Sequence, residues 1–323
     1  MSVINFDPIV FGVPKPVPEP PPINWASGDH TWTVGTGLTA KTWDISGGAQ
    51  GIVLTAGVRG LGMPEFTRYK DESPAVSGST YRGYIAVERE VMWPLWVFNN
   101  ESSNEWLKTD RAFWASLHPD RTGVWTYVSR DGITRSLTCR FSSDGGKVWD
   151  FDPGLFGWQD YQLYLVAEDP FWRGPRITKL FGGGTESTPF FGEPAGGPPF
   201  FIAGQFQIAN GRVSNPGDEP AWPKWTLYGP FTEAAVGIDG KSIEVPFEVE
   251  DGEWLYIDTD PKVRKAMLGT GVPSSNTGVD RFSDLGLVNW AQIPPGGDLA
   301  LDMEMTGTGS IRIEIDPAYH RAY

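Results

Sequence analysis

Alternation of apolar and polar residues in the last third of the chain restricts the fold more than any other feature. The apolar residues Ile243, Val245, Phe247 and Val249 alternate there with Glu244, Pro246, Glu248 and Glu250. Two later stretches repeat the pattern, with Leu299, Leu301, Met303 and Met305 in one and Ile311, Ile313 and Ile315 in the other. A strand with one face toward a core and one toward water has this period. The pattern predicts an antiparallel β-sandwich.

Composition extends the prediction to a mainly β fold for the whole chain. The 323 residues suffice for two domains and include 40 Gly, 28 Pro, 15 Trp, 18 Phe and 10 Tyr. Abundant turn formers together with aromatic residues that favour strands are typical of many short strands.

Charge and cysteine usage exclude several classes of function. The formal net charge of −14 argues against binding to DNA, RNA or an anionic membrane, because phosphate groups require an excess of Lys and Arg. Cys139 is the single cysteine, so no internal disulfide is expected. The N-terminus is not expected to be a secretory signal, and no apolar run is long enough to predict a membrane span.

Changes in composition along the chain predict four parts. Residues 1–25 are rich in proline and predict an extended arm. Residues 26–175 form a first domain, residues 176–204 a linker rich in Gly, Pro and Phe, and residues 205–323 the sandwich domain. The Phe pairs of the linker, which include Phe190 and Phe191, favour a docked segment over a free one.

The first domain is expected to combine strands with one helix. Alternation over residues 85–93 predicts a half-buried strand, in which Arg89 interrupts the apolar face and indicates an edge or an interface position. Ser102 and Glu105 have capping-box spacing at the start of a helix over residues 102–117 with a mainly aromatic face. Residues 125–128 and 133–141 predict two strands joined at Asp131-Gly132, and residues 161–167 predict a further strand.

No arrangement of residues predicts a catalytic, cofactor or metal site. His30, His118 and His320 are isolated and lack metal-ligand spacing. Gly240-Lys241-Ser242 lacks the earlier glycine of a phosphate-binding loop and reads as a hairpin turn. The acidic run from Glu248 to Asp260 indicates a solvated strand edge rather than a calcium site or a carboxylate pair of a glycosidase.

A dense group of turn signals opens the second domain. Asn215-Pro216-Gly217-Asp218 predicts a tight turn that braces this domain, with Gly217 at positive φ as a type II turn requires. The aromatic stretch over residues 225–228 predicts a short strand beside it. The second domain, residues 205–323, is expected to fold alone, whereas the first is expected to need neighbouring subunits.

A set of motifs resembles the distal tail proteins of long, flexible-tailed bacteriophages, most closely those of phages that infect actinobacteria. The likeness covers roughly residues 50–323. Its motifs are Gly57-Val58-Arg59-Gly60, Tyr81-Arg82-Gly83, Trp106 with residues 110–114, His118-Pro119-Asp120, residues 132–137, Asn215-Pro216-Gly217-Asp218, Ala221-Trp222-Pro223, Gly229-Pro230, residues 257–260 and residues 311–319.

The resemblance implies a structural, non-enzymatic virion protein. It implies a homo-hexameric ring at the distal end of the tail, built by the first domain around the DNA channel, with a galectin-like sandwich outside. The implied partners are the tail tube protein, the tail-tip hub, other minor tail proteins and the tape measure protein, and no cofactor is implied. Candidate interface residues are Arg89, Trp93, Trp96, Phe190 and Phe191.

Two other classes of function stay open from the sequence. A carbohydrate-binding module of the tail tip would suit a galectin-like sandwich and surface tryptophans. A glycan-degrading enzyme of the tail tip would need a pair of carboxylates in a polar loop, and no such pair is evident.

Overall fold

Antiparallel strands make up most of the protein. The computed structural model describes residues 28–146, 151–182, 211–274 and 276–323. The mainly β fold predicted from the sequence is confirmed: a first β-structure that carries the main helix is followed by a β-sandwich. The proline-rich arm, and residues 183–204 of the predicted linker with Phe190 and Phe191, lie outside the described residues.

A curled antiparallel sheet forms the body of the first domain. Its strand order is β2-β1-β7-β8-β9-β6-β3, and the backbone N–H of Leu54 donates to the carbonyl of Ile45 (2.7 Å), which brings the two edges together. The strands of this part of the chain are β1 (Asp29–Val34), β2 (Lys41–Asp44), β3 (Ile52–Leu54), β4 (Phe66–Ser73), β5 (Val76–Ala86), β6 (Arg89–Phe98), β7 (Thr122–Val128), β8 (Thr134–Ser143), β9 (Trp158–Ala167) and β10 (Trp172–Arg173).

The predicted helix is α1 (Ser103–Trp114), capped as its sequence indicates. The Ser102 hydroxyl accepts a hydrogen bond from the backbone N–H of Glu105 (3.2 Å), and Trp106 and Phe113 are buried. The helix ends at Trp114, three residues before Leu117. A one-turn helix, α2 (Pro153–Phe156), was not predicted.

Tryptophans fill the interior of the first domain. Trp32, Trp93 and Trp125 are fully buried and meet edge to face, with ring centroids 5.2 and 5.3 Å apart. Trp106 and Trp172 are buried as well. Much of the aromatic content that suggested a need for neighbouring subunits therefore supplies the domain's own core.

The second domain is a sandwich of two antiparallel sheets. A six-stranded sheet, β11-β20-β13-β16-β17-β18, faces a four-stranded sheet, β12-β19-β14-β15, across an apolar core. Its strands are β11 (Ile177–Gly182), β12 (Arg212–Ser214), β13 (Lys224–Tyr228), β14 (Phe231–Ile238), β15 (Lys241–Val245), β16 (Glu253–Asp258), β17 (Lys265–Thr270), β18 (Val279–Asp280), β19 (Asp298–Gly307) and β20 (Ser310–Ile315). The alternating apolar residues face the core as predicted, with Ile243, Ile311 and Ile313 buried.

Two sequence-based boundaries are corrected. Residues 85–93 are not one strand, because β5 ends at Ala86, the N–H of Val87 donates to Glu65, and β6 begins at Arg89. Ile85 is therefore exposed, whereas Val91 and Trp93 are buried. The start of the predicted linker is β11, which pairs with β20 as a full strand of the sandwich.

The chain returns to the first domain at its C-terminus. A last short strand, β21 (Ala318–Tyr319), pairs with β10, and Ala322 lies in the core of the first domain. The C-terminal residues therefore pack on the first domain, and they also bond to Asp218 and Glu219 of the second.

Candidate functional site

The turn at residues 215–218 is built around the Asn215 side chain. Asn215 is buried, its Oδ1 accepts from the Gly217 N–H (2.9 Å), and its Nδ2 donates to the carbonyls of Glu219 (2.8 Å) and Ile293 (3.0 Å). This side chain thus holds both ends of the turn, as Asn does where it hydrogen-bonds to backbone two residues on.

Gly217 is required for a different reason from the one predicted. It is absent from the glycines with positive φ, so the turn is not type II. A Cβ at this position would lie 2.7 Å from the carbonyl oxygen of Ala318, because β21 passes directly over the turn. The N–H groups of Asp218 and Glu219 donate to that same carbonyl (2.7 and 3.2 Å). The turn braces the junction between the domains.

Glu219 joins three separate parts of the chain at this junction. One oxygen, Oε1, accepts from the Tyr84 hydroxyl (2.8 Å) and from His320 Nε2 (2.7 Å). The hydrogen bond to Glu219 and, to a lesser degree, burial raise the pKa of Tyr84 to about 12. Glu219 therefore ties the C-terminal segment and a strand of the first domain to the sandwich.

Tyr84 belongs to a hairpin that no other described strand covers. Among the described strands, β4 and β5 pair only with each other, and nearly all of their described side chains are exposed. Tyr69, Tyr81 and Ile85 are between 50 and 60% exposed. A two-stranded hairpin is marginally stable by itself. Exposed aromatic residues on such an element are typical of a contact surface.

One face of the hairpin encloses a hollow of about 400 Å³, here called the hairpin hollow. Phe66 packs edge to face against Tyr84 (5.1 Å) and His320 (5.5 Å) at its floor. The pairing of Arg68 with Tyr84 and of Lys70 with Tyr81 places two cations on the same face. The residues that line the hollow are Met63, Phe66, Arg68, Tyr81, Tyr84 and His320.

Arg89 lies in the interior and holds the junction from the first domain. Its guanidinium donates to the carbonyls of Pro170 (2.6 Å), Gly60 (2.7 Å), Gly62 (2.5 Å) and His320 (2.7 Å). Burial lowers the pKa of Arg89 to about 10. Arg89 is only 3% exposed, which corrects the expectation that it faces a neighbouring subunit or a sheet edge.

The other predicted interface residues differ in their exposure. Trp93 is fully buried in the core of its own domain, so it offers nothing to a partner. Trp96, on the outward face of β6, is 42% exposed and remains a candidate interface residue. Phe190 and Phe191 lie outside the described residues.

A charged groove of about 750 Å³ runs along the junction. The Asp316 carboxylate accepts hydrogen bonds from Arg176 at both oxygens (2.7 and 3.1 Å) and from Lys224 at one (2.8 Å). Burial pushes the pKa of Asp316 upward, but the two cations outweigh it and hold that pKa below its ordinary value. Arg173 of β10 donates to the Asp316 carbonyl (3.2 Å), which links the first domain to this network.

The described residues do not assemble a reactive centre. Among them, no three His, Cys, Asp or Glu side chains converge as a bound metal ion would require. Cys139 is buried, and desolvation raises the pKa of its thiol, which keeps it protonated and unreactive. No helix in the described part of the chain is long and apolar enough to cross a membrane.

Neither the hairpin nor Glu219 was predicted from the sequence. The hairpin alternates among polar residues and tyrosines, so it shows no apolar face. The available signal was the turn at Ser73-Pro74-Ala75 between two stretches rich in Thr, Ser and Tyr. Glu219 carries no local signal, because its partners lie 135 and 101 residues away.

Phage tail proteins share this fold. The Dit (gp 19.1) protein of phage SPP1, described as a paradigm of the hub adsorption apparatus in Gram-positive-infecting phages, matches with a TM-score of 0.56 and 18% identity, over 88% of this chain and 98% of that chain. A chain of the phage P2 baseplate in its activated conformation with Ca matches with a TM-score of 0.53 and 14% identity, over 90% and 98% of the two chains.

A chain of the same baseplate with Sr gives a TM-score of 0.52, again at 14% identity and with 90% and 98% coverage. At these identities the likeness establishes the fold. No protein-family model and no curated protein sequence matches the chain.

Proposed function

We propose that this chain is a structural virion protein that forms a hexameric ring at the distal end of a phage tail. The ring connects the tail tube to the tail-tip hub, surrounds the DNA channel and performs no catalysis. Its partners are five further copies, the tail tube protein, the hub and other minor tail proteins. The observation that carries the proposal is the fold shared with the Dit protein of SPP1 over 98% of that chain.

The hairpin and the aromatic surface of the first domain support self-assembly. An uncovered hairpin with exposed tyrosines gains stability when another surface packs against it. A ring arises when two different surfaces of one subunit join successive copies and the rotation closes. The first domain, residues 26–175 with the C-terminal segment, builds the ring in this proposal, and the galectin-like sandwich lies outside it.

The net charge supports a channel that lets DNA pass. An acidic chain repels the phosphate backbone. A ring of six copies, each with a formal charge of −14, would therefore not bind the DNA that passes through it. The motifs quoted above further support a phage of an actinobacterial host. We expect the protein to be made in the host cytoplasm and to reside at the distal end of the tail.

Native mass spectrometry and negative-stain imaging of the full-length chain test the ring. We expect particles of six copies of the 35.6 kDa subunit with a central hole. A variant in which two glycines replace residues 67–85 removes the hairpin and its Tyr84–Glu219 hydrogen bond, leaves the buried cores in place, and should not form rings. A hairpin-deleted chain that still assembles would contradict the part assigned to the hairpin.

The carbohydrate-binding alternative finds less support in the sandwich. The centre of the outward face of its four-stranded sheet is acidic or small, and no described residue of these strands places an aromatic ring there for a sugar to stack on. The residues at its centre are Glu233, Ala235, Gly237, Glu244, Asp302 and Glu304. Specific binding on a glycan array by a chain that forms no rings would favour the alternative.

A further inference from the structure

An exposed aromatic cluster surrounds α2, at the opposite end of the first domain from the hairpin. Its rings form a continuous series of contacts, with centroids 5.0 Å apart for Phe151–Phe156 and Phe151–Trp158 and 5.6 Å apart for Trp96–Trp158. The cluster, here called the α2 patch, consists of Trp96, Phe98, Phe151, Leu155, Phe156 and Trp158.

Two residues project from the α2 patch. Leu155 is 80% exposed and Phe156 is 60% exposed, at the end of a one-turn helix. The helix is held firmly: Asp152 caps its first turn, the Ser103 hydroxyl donates to the Gly154 carbonyl (2.5 Å), and Gly157 closes it at φ 72°. An apolar projection on a fixed backbone is suited to docking, because little backbone freedom is lost on binding.

Carboxylates border the α2 patch. Asp160 lies directly opposite Trp96 in the pairing of β6 with β9, Asp152 precedes α2, and Glu101 follows the end of β6. All three residues are exposed. The surface is therefore an apolar projection with an acidic rim.

The hairpin hollow has the complementary character. It is a concave apolar surface whose floor is aromatic, and Arg68 lies on its rim. Within the hairpin, Lys70 pairs with Glu72 and Arg82 with Asp71, so the net charge of +1 of this element comes from Arg68, in a chain whose net charge is −14. An apolar projection with an acidic rim matches an apolar hollow that has Arg68 on its rim, in both shape and charge.

The two surfaces are placed so that one chain cannot join them to each other. The hairpin leaves the domain beside Arg89, at the first residue of β6, and the α2 patch begins at Trp96, near the last residue. Ten residues of strand separate the ends of β6 by about 30 Å. Different surfaces at opposite ends of a subunit produce head-to-tail contacts between copies.

We propose that Leu155 and Phe156 of one copy insert into the hairpin hollow of the next copy. The occupant of the α2 patch is thus a second copy of this chain. The inference rests on the proposed function, because this contact is the one that joins the subunits of the ring.

Charge insertion at exposed positions tests the contact. Leu155→Glu and Phe156→Glu should raise the concentration needed for assembly by roughly tenfold or more, because an unpaired carboxylate cannot be buried in an apolar hollow. Arg68→Glu should do the same from the other side. Val272→Glu changes another residue that is 86% exposed and should leave assembly unchanged. Native mass spectrometry measures the assembly, and circular dichroism confirms that each variant folds.

A mixing experiment identifies the pairing of the two surfaces. Leu155→Glu keeps an intact hollow, and Arg68→Glu keeps an intact α2 patch. When the two variants are mixed, one productive contact is possible, so we expect a 1:1 dimer with twice the 35.6 kDa chain mass and no larger species. Complete rings in the mixture, or the absence of any dimer, would overturn the proposed pairing.

The outcomes separate this inference from the proposed function. Six-copy rings that persist in Leu155→Glu and Phe156→Glu overturn the inference and leave the ring intact. A wild-type chain that stays monomeric at every concentration overturns the inference. The proposed ring is then tested by imaging the chain in the virion. Loss of glycan binding in Phe156→Glu, with assembly unchanged, would assign the patch to a sugar and overturn the proposal.

Discussion

Gly217 has no space for a side chain, although its backbone torsion would permit one. The carbonyl oxygen and the N–H of Ala318 would lie 2.7 and 2.9 Å from a Cβ. We predict that Gly217→Ala lowers the free energy of unfolding by about 1–3 kcal/mol, since overpacking forces the backbone to shift. Gly62→Ala is the matched control, because a Cβ there meets nothing within 4 Å. Equal stability of the two variants in chemical denaturation would contradict this explanation.

Arg89 is a buried cation whose partners are all carbonyl groups. Replacing it by Leu leaves four acceptors without their donor, and each unsatisfied group costs about 1–3 kcal/mol. We predict that Arg89→Leu destabilises the chain by more than about 3 kcal/mol and exposes the C-terminal segment to carboxypeptidase. Arg89→Lys should recover only part of this, because a single ammonium cannot reproduce the fork of donors.

Neither of these residues could have been assigned its role from the sequence. Arg89 interrupts an apolar face, which predicts an unusual position but not its nature. Its most distant partner, His320, is 231 residues away. The sequence identified the turn at Gly217 correctly, yet the close approach of Ala318 depends on how the last strand crosses the domain junction. Local sequence patterns indicate backbone torsions and the buried face of an element, whereas these contacts depend on tertiary structure.

At the scale of elements, β11 belongs to the sandwich and the last seven residues do not. Strand β11 pairs with β20 along its length, and Ile177 and Phe181 pack against the sandwich core. Residues 317–323 instead pair with β10 and reach the core of the first domain, and Ala318 and His320 also bond to residues 218 and 219 at the junction. We predict that the fragment 177–316 unfolds cooperatively and at a higher temperature than the fragment 205–323. A higher midpoint for 205–323 in calorimetry would contradict this assignment of the boundary.

Elements with one buried face were the predictable ones. Strands β15, β19 and β20 carry the alternation that places Ile243, Met303 and Ile313 in the core, and helix α1 begins at the predicted cap. The hairpin of β4 and β5 was not predicted, because a strand exposed on both faces needs no apolar period. Because the end of β5 is exposed and has no apolar period of its own, the sequence did not distinguish it from β6, and residues 85–93 were predicted as one strand.

At the scale of the whole molecule, the Asp316 network stabilises the region where the domains meet. We predict that Asp316→Asn costs about 1–2 kcal/mol at pH 7, a modest value because Arg176 is 49% exposed and solvent screens the pair. The pKa of Asp316 is lowered in the folded chain, so its contribution is complete above the unfolded value of 3.8. It is lost as the pH falls through the lower folded value.

Chemical denaturation of wild type and Asp316→Asn at pH 7 and near pH 3 measures this difference. The gap in stability should narrow at the acidic pH. Asp298→Asn is the control, since Asp298 and Arg212 form an ion pair that is 57 and 56% exposed and should contribute little at either pH. A gap for Asp316→Asn that is independent of pH would show that the network acts through shape and not through charge.

The proposed ring fixes both the position and the copy number of this chain in a virion. Cryo-electron microscopy of the phage that carries it tests both directly. We expect six copies in one ring at the distal end of the tail tube, with the first domain around the channel and the sandwich outside. Density for the chain only along the tube, in the capsid or in threefold fibres would contradict the proposed ring.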